Sequence, residues 1–136
     1  MYGGWGSQAC VNDRKGIGMA SYTCVITNDT GAPMLCTGYD ESVGWKNDET
    51  PPAEIPSGGE GTFCNAGHDS AAGWANYAVT VNDQLITIEF TWSIPLVGHN
   101  SVSQIITPTG YVYGHLTGGN DSGQNPTNYL TFDLSE

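Results

Sequence analysis

The stretch from Ala75 to Trp92, ANYAVTVNDQLITIEFTW, decides the fold. Large apolar residues occupy every second position on both sides of its central Asn82-Asp83 pair. A period of two indicates strands that bury one face and expose the other. An Asn-Asp pair suits the two-residue turn of a β-hairpin. We therefore predict a β-hairpin here, with Glu89 as a solvated carboxylate on its outer face.

Similar alternation predicts further strands on both sides of the hairpin, whereas no eleven-residue window has helical spacing. Residues 40–60 carry six carboxylates and three prolines, which favours a loop with one short strand near Trp45. The turn residues 28–31 predict that the second strand returns beside the first. The other predicted strands are Tyr22–Thr27, Pro33–Tyr39, Val102–Thr107, Tyr111–Leu116 and Asn128–Leu134, the last with Leu130, Phe132 and Leu134 facing inward. This pattern predicts an all-β fold, an antiparallel β-sandwich of two sheets with about eight to ten short strands.

The 136 residues suit one domain. Residues 1–18 are glycine-rich and aperiodic, and Met19-Ala20-Ser21 reads like a second start before the first strand. We expect residues 1–18 to be an arm, a processed leader or a remnant of cloning. Residues 19–136 would then form the sandwich domain.

Charge restricts the possible partners. The chain has 14 acidic and three basic residues, Arg14, Lys15 and Lys46, for a formal net charge of −11. Binding to nucleic acid or to anionic lipid needs clustered Lys and Arg, so neither is expected. No stretch approaches the ~20 apolar residues of a transmembrane helix, and no signal peptide is visible. We expect an extracellular protein, released or secreted by a route that the sequence does not show, that acts at a target-cell membrane.

The four cysteines, Cys10, Cys24, Cys36 and Cys64, allow up to two disulfides in three full connectivities. No C-x-x-C pair is present, which disfavours a zinc ribbon or a thioredoxin-type site. We expect at least some of these thiols to be free and buried, because Cys is among the residue types most often buried.

The sequence offers little for catalysis. His68-Asp69-Ser70 brings together the residue types of a hydrolase triad, but adjacent side chains point in different directions and do not converge. No G-x-S-x-G or H-E-x-x-H motif occurs. The three histidines are far apart, and the glycine-rich loop at 118–123 lacks the acidic ligands of an EF-hand. We expect no enzymatic activity, no cofactor and no metal site.

Aromatic residues are the more informative feature, because several fall in predicted loops or at strand ends (Tyr39, Trp45, Trp74, Tyr111 and Tyr113). Packing within the sheets explains many such rings. Exposed rings would serve a membrane interface, where Trp and Tyr are enriched, or would stack on sugars. Without positive charge, a membrane-binding protein of this kind would recognise uncharged or zwitterionic headgroups. The alternative is a lectin-like, carbohydrate-binding sandwich with no lytic role.

The order of the motifs resembles the aegerolysins, a family of small acidic β-sandwich proteins from fungi and bacteria. The resemblance covers roughly residues 21–135 and depends on order and spacing more than on any single motif. The motifs are Val25–Gly31, Val43-Gly44-Trp45, Ile55–Gly59 leading to Phe63, Gly67–Gly73, and Phe90–Pro95 followed by Gly98-His99-Asn100.

This resemblance implies binding to sphingolipid-containing membranes and membrane permeabilisation. Many aegerolysins are the small component of a two-component pore-forming toxin, and the chain looks closest to the bacterial, insecticidal branch. A larger partner protein would supply the membrane-spanning part, and this chain has no amphipathic stretch long enough for transmembrane hairpins. A homodimer is a further possible assembly.

The resemblance also suggests which residues face the lipid. Trp45 matches the family's early loop Trp. Gly73 stands where fungal members carry a Glu for headgroup selection, so that preference does not carry over. His99 and Asn100 stand where the family offers a cation, and protonated His99 would bind phosphate better in mild acid. The predicted lipid-binding residues are Trp45, Trp74, His99, Asn100 and Tyr111.

Overall fold

Two five-stranded sheets pack face to face in the computed structural model, which describes residues 20–46, 49–68, 70–118 and 125–134. The ten strands are β1 (Ala20–Asp29), β2 (Met34–Tyr39), β3 (Gly44–Trp45), β4 (Glu54–Ile55), β5 (Glu60–Gly67), β6 (Ser70–Val81), β7 (Gln84–Pro95), β8 (Ser101–Thr107), β9 (Val112–Gly118) and β10 (Thr127–Leu134). The predicted all-β sandwich is confirmed. No helix within the described ranges is long and apolar enough to cross a bilayer.

The first sheet has the strand order β3-β5-β1-β10-β9, and the second has the order β4-β2-β6-β7-β8. Neighbouring strands are antiparallel except for β1 and β10, which run parallel. The first sheet therefore joins the start of the domain to its last strand. This pairing closes the fold through contacts that are distant in sequence.

The predicted hairpin is formed by β6 and β7, which pair without a break from Ser70↔Pro95 to Val81↔Gln84. Asn82 and Asp83 have φ angles of 51° and 65°, as a two-residue type I′ turn requires. Glu89 lies exposed on the outer face, as the alternation predicts.

Two details of the predicted strands are wrong. The strand after the turn, β2, does not return beside β1 but crosses to the second sheet, where it pairs with β6. Buried Asn28 directs this crossing, because its amide bonds the backbone at both Ala32 and Ile55. Leu134 is 46% exposed, because it lies at the very end of β10 and pairs with the first residue of β9; Leu130 and Phe132 are buried as predicted.

Aromatic rings fill the centre of the core. Tyr22 from the first sheet stacks on Trp92 from the second, with ring centroids 5.6 Å apart and planes at 24°. Phe63 and Phe90 pack around them at centroid distances of 4.8 to 6.4 Å. Fully burying one such side chain contributes roughly 1.5–3 kcal/mol, so this cluster is a main source of cohesion between the sheets.

The cysteines divide into two states. Cys24 is free and buried, and Cys36 is free and half-buried, which confirms the expectation of free buried thiols. Cys64 is disulfide-bonded, and its partner lies outside the described residues. The predictions for residues 1–18, for Asp69 and for most of the loop at 118–123 also fall outside them.

Candidate functional site

A groove of about 600 Å³ opens at the edge of the second sheet, and we call it the β2 groove. Its inner wall is the last part of β2, and its outer wall is the segment that leads into β4. The lining residues are Cys36, Thr37, Gly38, Tyr39, Glu41, Thr50, Pro51, Pro52, Ala53 and Trp74.

The groove exists because β4 covers only the beginning of β2. Only Met34 and Leu35 pair with β4, and the amide of Cys36 donates to the carbonyl of Ala53 2.9 Å away. Beyond that point the chain leaves the edge of β2, because consecutive prolines, Pro51 and Pro52, have no N–H to donate to a ladder. The remaining edge of β2 therefore faces the open groove.

Hydrogen bonds fix the outer wall to the rest of the domain. The hydroxyl of Tyr77 donates to the carbonyl of Pro52 at 2.7 Å, and the amide of Cys64 donates to the carbonyl of Glu49 at 2.9 Å. Tyr77 belongs to the second sheet and Cys64 belongs to the first sheet. The groove is thus bounded by a wall that both sheets support.

Trp74 forms one side of the groove from the outer face of β6, and its side chain is 39% exposed. Its ring lies across Gly38, where an added Cβ would meet ring carbons at 3.5 and 3.6 Å. A one-residue irregularity between Cys36 and Gly38 brings Gly38 opposite Asn76, which lies two residues from Trp74 on the same face of β6. Glycine thus supports one side of the indole ring and leaves the rest accessible to a ligand.

The residues that line the groove include one carboxylate and no Lys or Arg. Glu41 is the one ionisable side chain among its lining residues apart from Cys36 and Tyr39. Lys46 is the sole Lys or Arg within the described ranges, and it does not line the groove. This arrangement disfavours an anionic ligand and suits an uncharged one, or one whose positive end enters the groove.

Burial keeps the inner wall uncharged. It raises the pKa of the Cys36 thiol above its ordinary value, although hydrogen bonds with Gly38 and Tyr77 partly oppose the shift. Burial also raises the pKa of the Tyr77 phenol, and the neighbouring Cys36 thiol adds to this rise. Both groups are neutral at pH 7, so Cys36 has no thiolate character there.

Trp45, the first predicted lipid-binding residue, packs against the core. Its ring makes edge contacts with Tyr39, Phe63 and Trp92 at centroid distances of 5.6, 5.9 and 6.0 Å. Its indole N–H donates to the carbonyl of Asp40 at 3.1 Å, and the ring is only partly exposed. The structure thus gives Trp45 a packing role, while contact with lipid remains a prediction.

The two tryptophans are linked through Asp40. The Asp40 amide donates to the carbonyl of Trp74 at 2.9 Å, and its own carbonyl accepts from Trp45. The loop between β2 and β3 therefore connects the groove to the core-packed ring. Sequence reasoning named both tryptophans but had no reason to place them together.

The strand register shows which end of the sandwich each remaining predicted residue occupies. Gly67 pairs with Ala20 at the end where β5 finishes and β6 begins. His99 and Asn100 lie at this same end, because they follow β7, whose last residue pairs with the first residue of β6. His99 is exposed and Asn100 is half-buried.

Tyr111 lies at the opposite end. It precedes Val112, which pairs with Leu134 at the finish of β10. Since β10 runs parallel to β1, its finish lies far from Ala20. Tyr111 is therefore separated from the end that carries Trp45 and His99, and one planar membrane contact at that end would not include it.

Sequence reasoning did not identify Gly38, or Pro51 and Pro52 of the outer wall, as site residues. The Pro51-Pro52 pair was the available signal, since it excludes this segment from a ladder. No group of three or more His, Cys, Asp or Glu that could hold a metal ion occurs within the described part of the chain.

No protein-family model matches the chain, and no curated protein matches it. Several solved structures are similar. IP-1A from Alcaligenes faecalis superimposes with a TM-score of 0.59 at 15% identity, over 86% of this chain and 92% of that one. The lipid-binding protein Nakanori gives a TM-score of 0.57 at 16% identity, over 86% and 71% of the two chains. RahU, solved in complex with a TRIS molecule, gives 0.66 at 14% identity, over 86% and 96%. At this level of identity the likeness establishes that the chain has the β-sandwich fold of these proteins.

Proposed function

We propose that the protein is the membrane-lipid-binding small component of a two-component, aegerolysin-like pore-forming toxin. The observation that carries the proposal is the β2 groove, which presents a partly exposed indole and has no basic residue among its lining. The fold supports it, since one neighbour with this fold is described as a lipid-binding protein. The motifs that resemble aegerolysins support the assignment independently of the fold comparison.

The ligand proposed for the groove is a zwitterionic headgroup, of the sphingolipid type or another. Tryptophan prefers the membrane–water interface, where its ring is apolar and its N–H is hydrogen-bonded. A cation over the face of an indole is attracted to the ring, and Glu41 adds a negative charge nearby. An anionic headgroup would instead approach a chain with a net charge of −11 and be repelled.

The proposed partner is a larger protein that supplies the membrane-spanning part. The apolar faces of β6 and β7 are already buried in the core, and their outer faces are mostly polar or small. Inserting these strands into a bilayer would therefore dismantle the sandwich. The protein would recognise the target membrane after its release from the producing cell, with no bond-breaking step, and the insecticidal target remains part of the proposal.

Liposome sedimentation tests the lipid-binding step. We expect binding to vesicles of sphingomyelin and cholesterol or of phosphatidylcholine, and no gain when phosphatidylserine is added. Trp74→Ala should weaken binding about 10- to 100-fold, as expected for loss of a large apolar side chain whose burial on binding contributes about 1.5–3 kcal/mol. Tyr113→Ala is the matched control, because Tyr113 is 55% exposed but lies on the first sheet, outside the groove.

Unchanged vesicle binding by Trp74→Ala would contradict the assignment of the groove. A glycan array run in parallel separates the alternative function. Saturable glycan binding without vesicle binding would favour the carbohydrate-binding module and would overturn the proposal. The partner is tested by vesicle leakage, which should require a second, larger protein in addition to this chain.

A further inference from the structure

Strand β8 is a long edge strand without the features that usually protect such an edge. It spans seven residues, Ser101–Thr107, with the sequence SVSQIIT, and it ends the second sheet. Natural edge strands avoid pairing with other chains by charge, proline, bulges or short length. This strand has no charged residue and no proline, and it pairs with β7 at every residue from Ser101 to Thr107 without a bulge.

The outer edge of β8 has no backbone partner within the described part of the chain. Every backbone hydrogen bond of residues 101–107 found there involves β7. The nearest strand of the other sheet, β9, is reached only by a side chain, with the Gln104 amide donating to the carbonyl of Gly114 at 3.3 Å. On the outer face, Ile105 is 56% exposed. Among the residues that the structure describes, this seven-residue ladder edge is therefore unpaired, and it carries an exposed isoleucine.

We propose that β8 pairs with β8 of a second copy of this chain, forming a two-fold symmetric dimer. The two strands would run antiparallel about an axis through Gln104, so that residues 101–107 overlap fully. Ser103 of each copy would then lie opposite Ile105 of the other. The two five-stranded sheets would become one continuous ten-stranded sheet.

Charge favours a second copy as the occupant of this edge. Two chains with a net charge of −11 repel each other wherever carboxylates meet, and β8 brings none to the contact. The nearest carboxylate on that face is Glu89, opposite Ile105 on β7. Across the dimer the two Glu89 residues would be three strand spacings, about 14 Å, apart. That separation exceeds the Debye length of about 8 Å at physiological salt, so their repulsion is largely screened.

The opposite side of the sandwich explains why pairing would stop at a dimer. The edge strands there, β3 and β4, have two residues each, and β4 contains Glu54. Neither offers a ladder long enough to continue the sheet. An isologous contact at β8 therefore closes the assembly instead of forming a fibre.

The size of the contact predicts a weak dimer. Seven residues give a side about 23 Å long, and two stacked sheets of about 10 Å thickness each give a depth of about 20 Å. The contact would therefore bury on the order of 450 Å² per partner. A standard stable interface buries about 800 Å² per partner. The dimer should therefore dissociate at low micromolar concentration and form as the concentration approaches the millimolar range.

The dimer would have a consequence for membrane binding, and this step rests on the proposed function. A two-fold axis perpendicular to the sheet keeps both outer faces of the second sheet on one side. Both Trp74 side chains would then face the same way, and one dimer could contact a membrane through two β2 grooves. Bivalent contact raises apparent affinity without any new interaction.

Sedimentation velocity from 5 µM to 1 mM, without lipid, tests the dimer separately from lipid binding. Ser103→Lys places like charges next to the two-fold axis and should weaken dimerisation about tenfold or more. Thr91→Lys is the matched control, because Thr91 is exposed on the same face directly opposite Ser103 but lies on β7, away from the edge. Thermal unfolding of both variants confirms that they fold.

Amide hydrogen exchange gives the second readout. At high concentration, the β8 amides that point away from β7 should exchange at least several-fold more slowly than at low concentration, and Ser103→Lys should abolish the difference. A monomer at all concentrations would overturn the proposal. So would a dimer that Thr91→Lys weakens while Ser103→Lys does not, since that result would place the contact on the flat face of the sheet.

Discussion

Asn28 joins the two sheets, and its replacement gives the most quantitative test of how the groove is built. The side chain is fully buried. Its amide nitrogen donates to the carbonyls of Ala32 at 2.7 Å and Ile55 at 2.9 Å. Its oxygen accepts from the amide and the hydroxyl of Thr30, at 3.0 and 2.7 Å. These bonds fix the crossing from β1 to β2 and hold β4 beside it.

The cost of Asn28→Ala follows from the groups left without partners. The Thr30 hydroxyl has one proton, and without the asparagine it is free to donate that proton to the carbonyl of Ala32, 3.0 Å away. The amide of Thr30 loses its acceptor, and the carbonyl of Ile55 loses one donor. Each buried polar group left unsatisfied costs about 1–3 kcal/mol, so we expect a loss of about 2–5 kcal/mol. For a domain of this size, about 4 °C per kcal/mol, the unfolding midpoint should fall by about 8–20 °C.

Urea unfolding followed by circular dichroism measures this loss. Thr27→Ala is the control, a half-buried neighbour on the same strand that should cost less than about 1 kcal/mol. Asn28→Asp keeps the acceptor but buries a carboxyl group whose pKa rises in the folded state. Its stability should therefore be higher at pH 4 than at pH 7, because the neutral form is tolerated and the charged form is not. A loss below about 1 kcal/mol for Asn28→Ala would refute this account of the crossing.

Three further changes test the core and the edge. Asn65→Leu should lower the free energy of unfolding in urea by about 2–4 kcal/mol. In the wild type the buried Trp92 N–H donates to Asn65 at 2.8 Å, and the substitution removes this acceptor. An unchanged midpoint would contradict this role. Gly44→Ala should lower stability by about 1–3 kcal/mol in thermal unfolding, because the added Cβ would lie 2.7 Å from the backbone carbonyl oxygen of Ala66, which cannot move without shifting strand β5. A neutral result would mean that β3 shifts away from β5 at little cost. Burial raises the pKa of the Cys24 thiol from 9.0 to about 12, so the free energy of unfolding should fall as pH rises from 9 toward 12. The fall should be shallower in Cys24→Ala. Equal slopes in urea titrations of both proteins would disprove this contribution of Cys24.

Local pattern predicted much of the fold. The alternation around Asn82-Asp83 located the β6–β7 hairpin and its buried face, because a period of two and a turn with positive φ are properties of neighbouring residues. The all-β class followed from repeating that pattern. The crossing of β2 was not predictable in the same way, because alternation shows which face of a strand is buried but not which sheet it joins.

The candidate site was predictable only in part. Trp45 and Trp74 were named from their positions, yet the groove depends on where β4 leaves β2 and on Gly38 beneath the indole ring. Those are contacts between distant segments. Tyr111 was grouped with residues that lie at the other end of the sandwich, since the parallel pairing of β1 and β10 has no local sequence signal.

Quenching of tryptophan fluorescence by brominated lipids tests the central claim most directly. Bromine atoms near the headgroup region of phosphatidylcholine vesicles quench only rings that approach the membrane. If the β2 groove binds lipid, wild-type emission should be quenched on binding, and Trp74→Phe should remove most of that quenching while Trp45→Phe retains it. Quenching that persists in Trp74→Phe and disappears in Trp45→Phe would contradict the account and move the lipid contact to the core-packed ring at the end of the sandwich.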